Sequence, residues 1–146
     1  MKRWIYSLAA TVCFAANAMA QVEYDGTPDT VLESAAADCS GFQQGQFSVG
    51  EKAVQRFALG DDEATFIDAL HFSCTSAASM WGGTGGTTLW VVVDNTVYRF
   101  LARGWQLVDT QSVPVLLLRI HPSECGAGLK SCYRAYAWDE GFSTVR

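Results

Sequence analysis

Between Leu89 and Asp109 the chain alternates apolar runs with two tight turns, and that pattern commits the segment to antiparallel sheet. Asp94-Asn95 and Arg103-Gly104 each supply residues that tolerate the positive φ of a two-residue hairpin turn. Pairing Val93 with Thr96 sets Val91 opposite Tyr98, Leu89 opposite Phe100 and Trp90 opposite Arg99. The second turn sets Phe100 opposite Leu107, which predicts a three-stranded meander with one apolar face and a second face half covered. Val115 to Ile120 is almost continuously apolar, as expected of a central strand packed on both sides, and Pro114 stands where such a strand can begin. Tyr133 to Trp138 and Phe142 to Val145 follow as strands around an Asp139-Glu140-Gly141 turn. One short helix precedes them, with Thr27 as N-cap, Pro28 at its first position and Asp29 beside its positive end, running to Ala37. The fold class is mainly β: a compact antiparallel sandwich or a propeller-blade-like sheet with one short N-terminal helix.

The first residues carry a different signal. Lys2 and Arg3 precede an apolar stretch from Trp4 to Ala16, and Ala18-Met19-Ala20 offers the small residues that a signal peptidase requires. Residues 1–20 are expected to be a signal peptide cut between Ala20 and Gln21. The apolar stretch is shorter than the roughly 20 residues of a spanning helix, so no stable membrane insertion is expected after cleavage. Val12 occupies the place where lipid attachment to Cys13 needs a small residue. Residues 21–146 then form a single disulfide-stabilised, β-rich domain, periplasmic or secreted.

Losing Lys2 and Arg3 leaves eight basic against fifteen acidic side chains, a net charge of −7. That balance disfavours phosphate backbones and anionic headgroups, so nucleic acid is not an expected partner. Four cysteines follow the leader, Cys39, Cys74, Cys125 and Cys132, and they allow three pairings. Cys125 and Cys132 flank a short loop with two glycines, which favours a local bridge and leaves Cys39 for Cys74. Neither a C-x-x-C pair nor a histidine at zinc-finger spacing competes with that reading.

Four features are candidates for chemistry. The acidic run Gly60-Asp61-Asp62-Glu63 leads into Phe66 and Asp68, a way in which chains can wrap calcium. Val54 to Cys74 resembles the loop and strand of FG-GAP-type repeats, found in β-propellers and in small exported bacterial proteins of uncharacterised function. In that family a run of the form D-x-D-G-D-G-x-x-D binds calcium ahead of a strand. Here Ala58 stands at the first aspartate position and no glycine follows Asp62. The resemblance implies calcium ligands at Asp61, Asp62 and Asp68. Alternation also sets Asp68 on one face with Phe66, Leu70 and Phe72, where backbone N–H groups of the Gly60 to Glu63 turn are expected to satisfy it.

His71 and His121 are the two histidines, each expected in a strand among apolar neighbours, and no G-x-S-x-G accompanies them. Trp81-Gly82-Gly83-Thr84-Gly85-Gly86 lacks the lysine of a phosphate-binding loop and precedes a strand, so it reads as a mobile loop with an aromatic contact at its base. Trp81, Gly82, Gly83, Gly85 and Gly86 are therefore the candidate binding residues.

The leading expectation is an exported, non-catalytic binding or interaction module whose partner is a protein or envelope component, contacted through Met80 to Thr87. The alternatives are a small periplasmic hydrolase using His71 or His121 with Asp68, and a calcium-stabilised structural domain. Amino-terminal sequencing of the exported protein is expected to begin at Gln21, with no free thiol after denaturation. Retention of Met1 together with five reactive thiols, Cys13 included, would exclude export.

Overall fold

The computed structural model describes residues 22–145. The predicted leader lies outside them. Strand β1 (Val22–Asp25) leads through Gly26 into helix α1 (Pro28–Gly41), whose start follows the expected chemistry: Thr27 and Thr30 exchange side-chain and backbone hydrogen bonds as a capping box behind Pro28. The helix continues four residues past the predicted Ala37, because Val31, Ala35 and Cys39 form one buried stripe that holds its last turn against the body.

Eight strands follow the helix before the chain reaches Pro114. They are β2 (Phe47–Val49), β3 (Val54–Leu59), β4 (Asp62–Asp68), β5 (Phe72–Cys74), β6 (Gly82–Gly83), β7 (Gly86–Val93), β8 (Thr96–Ala102) and β9 (Gly104–Val108). β10 (Val115–Ile120), β11 (Cys132–Trp138) and β12 (Phe142–Thr144) complete the chain. The first sheet runs β1-β8-β7-β4-β3 with β6 beside β7, the second runs β12-β11-β10-β9, and β2 pairs with β5 separately. All pairings are antiparallel. The two larger sheets face each other across one core, and α1 covers part of the first sheet's outer face through Val31 against Ile67, Trp90, Val92 and Val97. This is a β-sandwich, and of the two expected architectures it is the one formed.

The Asp94-Asn95 turn has the positive φ values of 45° and 65° that a hairpin of this length requires, and it fixes Val93 against Thr96, Val91 against Tyr98 and Leu89 against Phe100 as expected. The Arg103-Gly104 turn is different. Instead of folding β9 back onto β8, the chain crosses there to the other sheet, where β9 pairs with β10 and Leu107 faces Leu116. The Arg103 N–H donates to the Arg119 carbonyl at 2.7 Å, and the Arg119 guanidinium returns a bond to the Arg103 carbonyl at 2.9 Å. The predicted meander is thus two strands and a corner. β10 is central in its sheet, but only Leu116, Leu118 and Ile120 are buried, so it packs on one face and not on both.

Two carboxylates span the sandwich. Asp62 and Asp68 open and close β4 and share its inward face with Ala64 and Phe66. Each accepts an indole N–H from the facing sheet, Asp62 from Trp138 at 3.0 Å and Asp68 from Trp105 at 2.8 Å. Trp105 also stacks on Phe66 at 4.9 Å. The second Asp68 oxygen accepts the Leu70 N–H at 2.9 Å, which starts a 3₁₀ turn, Ala69–His71, and breaks the alternation. Leu70 is therefore 61% exposed and Phe72 packs with the outer cluster, so neither shares the face of Asp68. Local backbone and a distant indole, not the Gly60 to Glu63 turn, satisfy this carboxylate.

The disulfides join Cys39 to Cys74 and Cys125 to Cys132, each with Cα atoms 5.7 Å apart. The first ties the end of α1 to β5, and Gly45 lies so close that a Cβ there would stand 2.6 Å from the Cys74 sulfur. Such cross-links belong to an oxidising, non-cytoplasmic compartment. Among the described residues no helix is long and apolar enough to cross a membrane.

Trp105→Phe keeps an aromatic ring beside Phe66 while removing the donor to Asp68 and part of the buried ring. That variant and Asp68→Ala are each expected to lower unfolding free energy by about 1.5–3 kcal/mol. In urea titrations the double variant should lose clearly less than the two combined; additive losses would show that the bond contributes nothing.

A second expectation concerns alkali. Burial, and then the Glu23 carboxylate, raises the Tyr98 hydroxyl above its ordinary 10.0. The folded chain holds this proton more tightly than the unfolded one, so its contribution is complete below the unfolded value and is lost as pH rises through the folded one. Tyr98→Phe should remove part of the fall in urea midpoint measured above about pH 10.

Candidate functional site

Helix α1 is too short to cover the whole outer face of the first sheet, and the uncovered part is the floor of a cleft of about 690 Å³. Side chains of β1, β8 and β7 form this floor: Val22 and Tyr24, then Arg99 and Leu101, then Thr88 and Trp90. Period-2 alternation explains the set, because Val22 is in register with Arg99, and Arg99 with Trp90. Ser34 and Asp38 of α1 make one wall. Met80 to Gly86 make the other.

All five predicted binding residues, Trp81, Gly82, Gly83, Gly85 and Gly86, line this cleft. Their local structure is not the expected open loop. Gly82 and Gly83 pair with Thr87 and Gly86, leaving Thr84-Gly85 as the turn of a small hairpin, and the Thr88 N–H donates to the Trp81 carbonyl at 2.9 Å. Gly86, at φ 124°, lies against the Ala102 carbonyl where a Cβ would collide. Gly82 similarly lacks room, with Thr87 Cγ2 only 2.6 Å from where its Cβ would stand, whereas a Cβ at Gly83 would meet nothing within 4 Å. Glycine at 82 and 86 is thus a condition of close strand approach, while Gly83 stands free beside the cleft.

Trp81 is a packed wall residue rather than a projecting contact. It is partly buried, with its ring 5.4 Å from Phe47 and 5.3 Å from Phe72, and Phe72 in turn stacks on Trp90. Its indole nitrogen is buried without a hydrogen-bond partner among the described residues. Sequence reading took Trp81 as the apolar contact, yet the exposed apolar surface lies on the floor: Val22, Tyr24 and Leu101 are 52%, 41% and 53% exposed. The alternation of β8 carried that signal, since Leu101 follows Val97 and Arg99 on one face.

The remaining predicted site residues are not gathered. Asp61 is exposed in the Gly60-Asp61 turn between β3 and β4, while Asp62 and Asp68 stand at opposite ends of β4, about 20 Å apart at 3.3 Å per residue. Both are engaged by different tryptophans. Among the described residues no three of His, Cys, Asp and Glu are grouped to hold a metal. The expected strand placement of the histidines is corrected. His71 ends the 3₁₀ turn after β4, and His121 follows β10, where its Nδ1 lies 2.6 Å from Ser123 Oγ and accepts the Ser123 N–H at 3.2 Å. Asp68 gives its two oxygens to Leu70 and Trp105, so neither histidine forms a hydrogen-bonded pair with it.

Arg99 and Asp38 have no hydrogen-bonded or ionic side-chain partner among the described residues, and both line the cleft. The arrangement offers an apolar floor, one cation on it, one anion on the helix wall and a glycine-rich rim. These are contact elements for a partner. No family model matches the chain, and no curated protein or solved structure matches it.

Proposed function

We propose that this chain is an exported binding module, periplasmic or secreted, that takes a protein or envelope component into the cleft between α1 and the Gly82 to Thr87 hairpin. The observation that carries this reading is the clustering of Val22, Tyr24 and Leu101 on adjacent strands. Three large apolar side chains, each more than 40% exposed, share one concave surface. Single exposed apolar residues are ordinary, but a contiguous set bordered by polar groups marks a contact site. Arg99 and Asp38 give that contact orientation, and the stapled sandwich beneath keeps it preformed, which lowers the ordering cost of association.

Bulk added to the walls tests the cleft without touching its floor. Ser34→Trp on the exposed face of α1 and Gly83→Trp at the open hairpin position should each reduce retention of envelope material by the immobilised domain at least tenfold. Leu129→Trp, in the exposed Cys125–Cys132 loop, should leave retention unchanged. Equal retention by all three variants would remove the cleft from consideration.

A further inference from the structure

Among the described residues the edge of β8 has one unused rung, and it lies between two clefts. β8 has seven residues, but β1 pairs only with Thr96 to Arg99, so Phe100, Leu101 and Ala102 extend past Val22. The phase of the ladder follows from the bond of the Gly26 N–H to the Asn95 carbonyl at 2.8 Å. Antiparallel strands exchange hydrogen bonds at every second pair, so the bonded pairs are Tyr24 with Val97 and Val22 with Arg99, and the next rung is Leu101. The Leu101 N–H and C=O point to this outer edge. On its other side β8 bonds to β7 through the alternate residues, Phe100 with Leu89 and Ala102 with Thr87. No described strand stands opposite Leu101.

The two faces of this rung are both hollow. The cleft of about 690 Å³ lies on the outer face, and a second of about 260 Å³ opens on the inner face among Phe100, Leu118, Ile120 and Tyr136. Val22, Arg99 and Leu101 line both. A globular surface or a compact small molecule fills one cleft. An extended backbone bonded at Leu101 fills both, because successive side chains of a strand point to opposite faces.

We infer that the partner binds as a short extended segment added antiparallel to β8 as a continuation of β1, apolar where it faces inward and acidic where it faces outward opposite Leu101. The apolar preference comes from Phe100, Leu118, Ile120 and Tyr136 in the inner cleft, whose two charged lining residues outside β8, Glu124 and Arg134, are paired with each other at 3.3 Å. The acidic one comes from Arg99, which neighbours the outward position on the same face and has no anionic partner among the described residues. This rests on the cleft reading above and on the cut after Ala20. The rung opposite Leu101 is two positions ahead of Val22, and the cut domain has only Gln21 there, so it has no residue of its own for that place.

The test uses residues 21–146 and the blocked peptide acetyl-Val-Glu-Val-Glu-Val-amide, with amide exchange read by NMR. The peptide is expected to slow exchange of the Leu101 amide at least tenfold, and a version N-methylated at both glutamates should bind at least tenfold more weakly. Leu101→Pro removes an N–H that makes no bond to β7, so the edge can accept it, whereas Leu101→Thr retains the N–H. Only the threonine variant should bind the peptide. Should Leu101→Pro fail to fold, the N-methylated peptide decides alone. A Leu101 amide already protected without peptide, equal binding of the methylated peptide, or no binding at all would each overturn strand addition. None of these touches the cleft reading, which the Ser34 and Gly83 variants test independently.

Discussion

The hydrogen bond from the Trp105 indole to Asp68, with its counterpart from Trp138 to Asp62, governs how the two sheets are arranged. A strand whose inward face reads Asp, Ala, Phe, Asp at alternate positions would be costly if its ends met only apolar side chains, because a buried carboxylate without a donor loses its hydration for nothing. Indoles resolve the conflict: each supplies a large apolar ring for the core and one N–H for the oxygen. Phe66 lies between the two carboxylates in sequence and takes the Trp105 ring as a stacked partner at 4.9 Å. Contact and bond together demand that Trp105 belong to the sheet opposite β4.

That demand explains the corner at Arg103-Gly104. Had β9 folded back onto β8, Trp105 would lie in the same sheet as Asp68 and could not face it across the core. The chain therefore changes sheets within three residues, secured by the reciprocal bonds between Arg103 and Arg119. A consequence follows for the surface. The edge of β8 that a meander would have covered is left to β1, whose described residues pair with Thr96 to Arg99, and the Leu101 edge beyond them borders both clefts. The interaction that closes the sandwich on one side thus opens the candidate site on another.

The sequence made the local features legible and left the distant ones hidden. Asp94-Asn95 determines its own turn, so the β7–β8 register could be read directly. Thr27-Pro28 likewise announces the helix start, and the short Cys125 to Cys132 loop announces its bridge. Arg103-Gly104 fits a hairpin and a corner equally well, and the choice is made by Asp68 and Arg119, thirty-five residues before and sixteen after Arg103. Asp68 itself was recognised as inward-facing, but its donor was sought in the nearest turn, since nothing local in a sequence ties an aspartate to an indole 37 residues away. In the candidate site, the five glycine-loop residues line the cleft, and their hairpin pairing is set by β7 rather than by the glycines alone. Trp81 looked like a contact because glycines follow it, yet Phe47 and Phe72 claim its ring.

An uncovered strand edge invites uncontrolled pairing between copies, and chains usually blunt such edges with charge, shortness or a neighbouring element. All three devices surround Leu101. Arg99 places a charge two residues before it, the corner at Arg103 ends the strand two residues after it, and the hairpin of Gly82 to Thr87 stands beside it, so that a Cβ added at Gly85 would stand 3.5 Å from the Leu101 side chain. Two copies meeting edge to edge at Leu101 would set Arg99 of each against Arg103 of the other, where β1 already occupies the Arg99 rung and the corner ends the strand, so no long ladder forms. A short segment with an acidic outward side chain avoids both obstacles. The same few residues that keep this edge from pairing with itself therefore define the shape and charge of the strand it can accept.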